Sequence, residues 1–148
     1  MTHLESFGPL GQSEMLRKAA RTLVEAVPLG WKELRFEFRS TVQIDGARLE
    51  SVAEDGSVSR HSVPRVAMRA FDKLRTAMYE PGRGAWFTAM IVIDRAGGYQ
   101  IDFDYDTEPD FNPQLTAGAY ALDLQYYPRD RAHTPMWLQD KLDQTSGS

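Results

Sequence analysis

The stretch WFTAMIVIDRAGGYQIDFDYDTEPDF, Trp86–Phe111, decides how this chain folds. From Tyr99 to Asp106 the residues alternate without a break. Tyr99, Ile101, Phe103 and Tyr105 fall on one side; Gln100, Asp102, Asp104 and Asp106 fall on the other. Successive strand side chains point to opposite faces, so a period of two marks a half-buried strand with one aromatic and one acidic face. Carboxylates on one such face stand roughly 7 Å apart and repel one another. A cation, a basic neighbour or a basic partner is expected to compensate them. Before this strand, Trp86–Ile93 is almost wholly apolar, which predicts a strand covered on at least one face. Asp94–Gly98 supplies the turn between the two.

The same periodicities parse the chain outward from this pair. Upstream, Val66, Ala67, Ala70, Phe71, Leu74 and Met78 form a helical stripe after Pro64, with Arg65, Arg69, Asp72, Lys73 and Arg75 assigned to its outer side. Pro81-Gly82-Arg83-Gly84 stops that helix. Further back, Leu34, Phe36 and Phe38 alternate with Arg35, Glu37 and Arg39. Asp45-Gly46 and Asp55-Gly56 are hairpin signals, so Trp31–Val63 reads as a three-strand meander. Ser13 reads as the N-cap of a helix carrying Met15, Leu16, Ala19, Ala20, Leu23, Val24 and Val27, ended by Pro28. Downstream, Asn112-Pro113 opens a third helix running through Tyr127, and Thr134-Pro135 caps a short last helix bearing Trp137, Leu138 and Leu142. Residues 1–11 and 144–148 read as loose ends of a single domain spanning 1–148. The order is helix, three strands, helix, two strands, two helices. With short hairpin links this predicts an α+β fold: an antiparallel sheet of about five strands with helices packed on it.

Composition narrows the function classes. A chain of 148 residues, 42% apolar and 26% charged, has the make-up of one globular domain with a real core. Its longest apolar runs are far short of a membrane span, and its first residues lack a signal-peptide pattern. There is no cysteine, which excludes disulfides, thiolate metal sites and a cysteine nucleophile and fits a reducing cytoplasm. Lysine and arginine number 17 against 21 acids, a formal charge of −4. That balance speaks against nucleic-acid binding through a basic patch and favours a basic protein partner.

The candidate chemistry is acidic. An EF-hand counted from Asp102 would need glycine at its sixth position and glutamate at its twelfth; Thr107 and Pro113 stand there. A divalent metal for hydrolysis on Asp102, Asp104 and Glu108 is an alternative. It would need further ligands such as Asp110 or Asp123, and His3, His61 and His133 are scattered singly. Cross-strand pairing with Lys32, Arg35 and Arg39 would make the acid row a plain solvated face. Such exposed pairs are worth only about 0–1 kcal/mol each. Gly82-x-Gly84 is a turn rather than a nucleotide loop, since Phe87 occupies the third glycine position of the fingerprint. Phe111, Tyr126, Tyr127 and Trp137 make the C-terminal end aromatic. They divide between helix packing and partner anchors.

One succession of motifs resembles a known family. Trp86-Phe87, then Ile101-Asp102-Phe103-Asp104-Tyr105-Asp106, Glu108-Pro109, Tyr120 with Asp123-Leu124, Tyr127-Pro128-Arg129-Asp130 and Pro135-x-Trp137-Leu138 look like the YezG-like immunity (antitoxin) family of bacterial polymorphic-toxin and type VII secretion loci. The resemblance covers Ala85–Leu142. It implies a small cytoplasmic protein without catalysis or cofactor that binds and neutralises a cognate toxin domain. An acidic face would suit a basic nuclease-type toxin. The expected contact residues are Asp102, Asp104, Asp106, Glu108 and Asp110, with Tyr127 and Trp137 as anchors. The alternatives are the metal-dependent hydrolase and an adaptor for a partner other than a toxin.

Overall fold

Five strands form one antiparallel sheet in the order β3-β2-β1-β4-β5. The computed structural model of the chain describes residues 8–146. Its elements are α1 (Gly8–Glu25), β1 (Trp31–Ser40), β2 (Asp45–Ala53), β3 (Val58–His61), α2 (Arg65–Met78), β4 (Thr88–Asp94), β5 (Tyr99–Asp104), α3 (Ala117–Tyr126), a 3-10 turn (Arg131–His133) and α4 (Met136–Ser146). This is the α+β architecture that the alternation predicts.

Register explains the core. Phe36 of β1 lies opposite Leu49 of β2 and Ile91 of β4, and Ile91 lies opposite Ile101 of β5. Phe38 is flanked in the same way by Ala89 and then Phe103. One sheet face is therefore continuously apolar. Ala19, Ala20 and Leu23 of α1 and Ala67, Phe71 and Leu74 of α2 close over it. Phe71 sets its ring 5.0 Å from Phe36 and 5.8 Å from Phe38. Each such side chain, fully buried, contributes about 1.5–3 kcal/mol. The other sheet face is polar: Arg35, Glu37, Arg39, Arg48, Glu50, Gln100 and Asp102 are exposed or half-buried. A second, smaller cluster of Phe87, Tyr120 and Leu138, with Leu115, Leu124, Trp137 and Leu142 packed on it, joins α3 and α4 to the chain just before β4.

Several boundaries differ from the sequence reading. Helix α1 starts at Gly8, not after Ser13, with Pro9 in its first turn where a missing N–H is harmless. Helix α3 starts at Ala117, with Thr116 as its extended N-cap; Asn112-Pro113, joined by a cis peptide, precedes it in a loop. Helix α4 continues to Ser146, past the expected loose start at Gln144. Residues 1–7 of the expected loose N-terminus lie outside the described residues. Asp55-Gly56 does turn β2 into β3, with Gly56 at φ +89°. Asp45-Gly46 instead sits inside β2, opposite Ser40 and Arg39. A Cβ on Gly46 would stand 3.0 Å from Arg39 Nη2, so the missing side chain makes room for a guanidinium rather than a turn.

Candidate functional site

The acid row begins on the sheet and leaves it. Strand β5 lies at the edge of the sheet and ends at Asp104, so only Asp102 and Asp104 share its polar face. Asp104 Oδ1 accepts the N–H groups of Asp106 and Thr107, both at 3.0 Å, and bends the chain out of the strand. The expected three-residue row therefore breaks after its second member. Partial burial pushes the Asp104 carboxyl up, but the donated N–H groups outweigh it and hold its pKa below the ordinary value. Tyr105 keeps its predicted inward direction and is buried, with the Arg83 guanidinium 3.8 Å from its ring centroid.

The basic residues of β1 do not compensate these acids. Strand β4 stands between β1 and β5, so Asp102 lies opposite Met90 and Asp104 opposite Thr88. Arg35 Nε is 2.6 Å from Glu33, and Arg39 is 3.7 Å from Glu37 while donating to the Asp110 carbonyl at 3.0 Å. Among the described residues no cation forms an ion pair with Asp102, Asp104, Asp106 or Asp110. Glu108 is half-buried and faces Lys141 at 3.8 Å. Asp102, Asp106 and Asp110 are exposed. Asp106 acts electrostatically on the Arg129 guanidinium, whose pKa burial pulls down while Asp106 partly restores it.

Tyr127 and Trp137 have internal work. Trp137 Nε1 donates to the Asp106 carbonyl at 2.7 Å, and its ring packs against Phe87 and Tyr120 at 5.7 and 5.2 Å. It thus pins the acidic loop to α4. Tyr127 stacks on Tyr79 at 5.3 Å, shares a 3.1 Å hydrogen bond with Thr76 and lies 5.1 Å from the Arg75 guanidinium. The ring that faces solvent is Tyr126, 62% exposed.

A buried ion pair holds this support in place. Arg75, assigned from sequence to the outer side of α2, is only 2% exposed, and Asp123 of α3 only 1%. The guanidinium makes two bonds to the carboxylate, at 3.0 and 2.9 Å, and a third to the Trp86 carbonyl at 2.6 Å. Asp123 Oδ1 also accepts the Val42 N–H at 2.7 Å. The pair was legible by position. Arg75 stands four residues after Phe71 and Asp123 three after Tyr120, both within buried helical stripes. Arg129 is a second clamp. It donates to the Ala85 and His133 carbonyls and lies 4.8 Å from the Phe87 ring. A Cβ on Gly84, at φ +85°, would meet Arg129 Cγ at 2.5 Å, so the Gly82-x-Gly84 turn is shaped to seat this arginine.

The acids do not converge on a metal. Among the described residues no group of three or more histidines and acids is arranged to hold an ion. Asp104 is engaged in its turn, Glu108 faces Lys141, and Asp123 belongs to Arg75. His61 bonds Ser51 at 2.7 Å and His133 bonds Asp130 at 2.7 Å, each a local contact. No described helix is long and apolar enough to cross a membrane. No protein-family model matches the sequence, and no curated protein matches it.

Proposed function

We propose that this chain is an immunity protein that binds a cognate toxin domain in the cytoplasm and neutralises it by direct contact, without catalysis. The observation that carries the reading is the exposed set Asp102, Asp106 and Asp110, which has no ion pair among the described residues; the first lies on edge strand β5 and the other two on the loop that follows it. An exposed acidic surface without ion pairs favours a basic partner, and nuclease-type toxins present basic surfaces because their substrate is a polyanion. The motif succession over Ala85–Leu142 supports the same class. Asp104, Glu108 and Trp137 shape and hold the surface in this reading, Tyr127 packs against α2 and its C-cap, and the three exposed aspartates face the partner.

The test first asks whether a neighbouring gene encodes a toxin domain, and then uses that domain, inactivated for handling. Asp102→Asn, Asp106→Asn and Asp110→Asn together should slow association and flatten its salt dependence, because rim charges act mainly on the encounter rate. Cells making active toxin should lose protection while folded mutant accumulates normally. Unchanged association rates with unchanged salt slopes would move the interface away from this run. No binding by the unaltered protein would end the immunity reading.

A further inference from the structure

Charge is unevenly divided over this acidic chain. Helices α1 and α2 hold seven of its 17 basic residues but only three of its 21 acids. One of the seven, Arg75, is buried against Asp123. The other six, Arg17, Lys18, Arg21, Arg65, Arg69 and Lys73, are all exposed, and none forms an ion pair among the described residues. Between the two helices runs a groove of about 230 Å³. Met15, Ala19, Val66 and Ala70 line it, and Lys18, Arg69 and Lys73 stand on its rims. Val66 is 53% exposed there.

We propose that this groove docks an acidic amphipathic helix of a second partner protein, on the layer opposite the polar sheet face. The small side chains of Ala19 and Ala70 in its lining favour entry of apolar side chains from a helix laid along it, the helix-in-groove mode of recognition. The rim cations meet glutamates or aspartates flanking those anchors, so charge selects the sign of the partner and its orientation. A lipid surface is met by a broad row of protruding apolar side chains, whereas Val66 is the one large apolar side chain of this groove that is more than half exposed. A nucleic acid strand is held by aromatic platforms together with cations, and no aromatic lines this groove. The inference does not depend on the toxin-binding reading, since it concerns different residues and a partner of opposite charge.

The experiment titrates the full chain, isotope-labelled for amide spectra, with a synthetic helix carrying leucines at i, i+4 and i+7 and glutamates elsewhere. The comparison probes are a scrambled peptide of the same composition, a leucine–lysine version, a single-stranded oligonucleotide and anionic vesicles. Saturable shifts confined to α1 and α2, with at least about tenfold weaker binding of the scrambled and lysine peptides, are expected. Arg69→Glu with Lys73→Glu should weaken the acidic helix by about tenfold or more while leaving the thermal midpoint near its starting value. Arg69→Gln with Lys73→Gln serves if the reversal perturbs folding. Equal binding of patterned and scrambled peptides, or shifts elsewhere, would overturn the proposal. So would preferential capture of the oligonucleotide or the vesicles, or a concentration-dependent self-association that these substitutions abolish.

Discussion

The sheet with its two covering helices and the C-terminal helical pair are held by different forces. In the first, Phe36, Phe38 and Phe71 interlock with aliphatic side chains from three strands, and cohesion scales with apolar area. In the second, a cluster with only three fully buried members leans on the Arg75–Asp123 pair and on the Arg129 clamp. Apolar cohesion degrades gradually as atoms are removed. An ionic tie fails when either end is lost, because the remaining charge is stranded in the interior.

Single and paired substitutions separate the two regimes most sharply. Asp123→Ala should destabilise the chain by about 3–5 kcal/mol in urea unfolding, since it leaves Arg75 buried without its anion. Arg75→Met with Asp123→Leu should recover part of that loss, because no charge is stranded, although the Trp86 carbonyl and the Val42 N–H lose their side-chain partners. Phe36→Ala should cost a similar amount, about 3–5 kcal/mol, through a cavity in the larger core. No second substitution across the ion pair should rescue it. If the Met/Leu double variant is no better than Asp123→Ala, the tie is not what joins the two regions.

A smaller effect tests the link between the helical pair and the acidic loop. Trp137→Phe keeps most of the ring but removes the donor to the Asp106 carbonyl. It should cost about 0.5–1.5 kcal/mol and raise hydrogen exchange in the loop from Asp106 to Asp110, leaving β1 and β4 protected. Faster exchange throughout the sheet would mean the tryptophan supports more than the loop.

The smallest effect lies in the sheet-edge turn. Asp104→Asn should lower stability by less than about 1 kcal/mol at neutral pH, because asparagine can still accept the turn's N–H groups. The sign with pH follows from the depressed folded pKa. An acid that ionises more readily folded than unfolded contributes fully above its unfolded value and loses that contribution as pH falls through 3.8 toward the folded value. The gap between wild type and variant, measured by unfolding from neutral pH downward, should therefore narrow on acidification. A gap that widens there would contradict the hydrogen-bond assignment.

The two regions were not equally legible. Alternation along Tyr99–Phe103 and Leu34–Phe38 reports directly which side chains face inward, so the sheet and its inner face followed from period alone. Asp104 fits the same alternation, yet its carboxylate turns to the N–H groups after it, and a two-residue pattern carries no mark of that choice. The helical pair hid more. Charge sends Arg75 to the outer side of its helix and makes Asp123 a candidate metal ligand, although each stands one turn from a buried ring, Phe71 and Tyr120. Glycine misled in the same way at Asp45-Gly46, where the side chain is absent to admit Arg39 instead of to permit a turn. Tyr127 and Trp137 were read as anchors from residue type, but type does not reveal whether a ring faces a partner or Phe87.

The Arg75–Asp123 pair also bears on the order in which the chain can be completed. The guanidinium is synthesised 48 residues ahead of its carboxylate. Within that interval β4 and β5 are added and can complete the sheet, but the end near Trp86 stays hydrated, because closing it would seal in an unanswered charge. A nascent chain halted before α3 is therefore a sheet with one wet end, open to chaperones and proteases. Closure awaits the synthesis of α3, and the acidic loop gains its anchor only once α4 has followed.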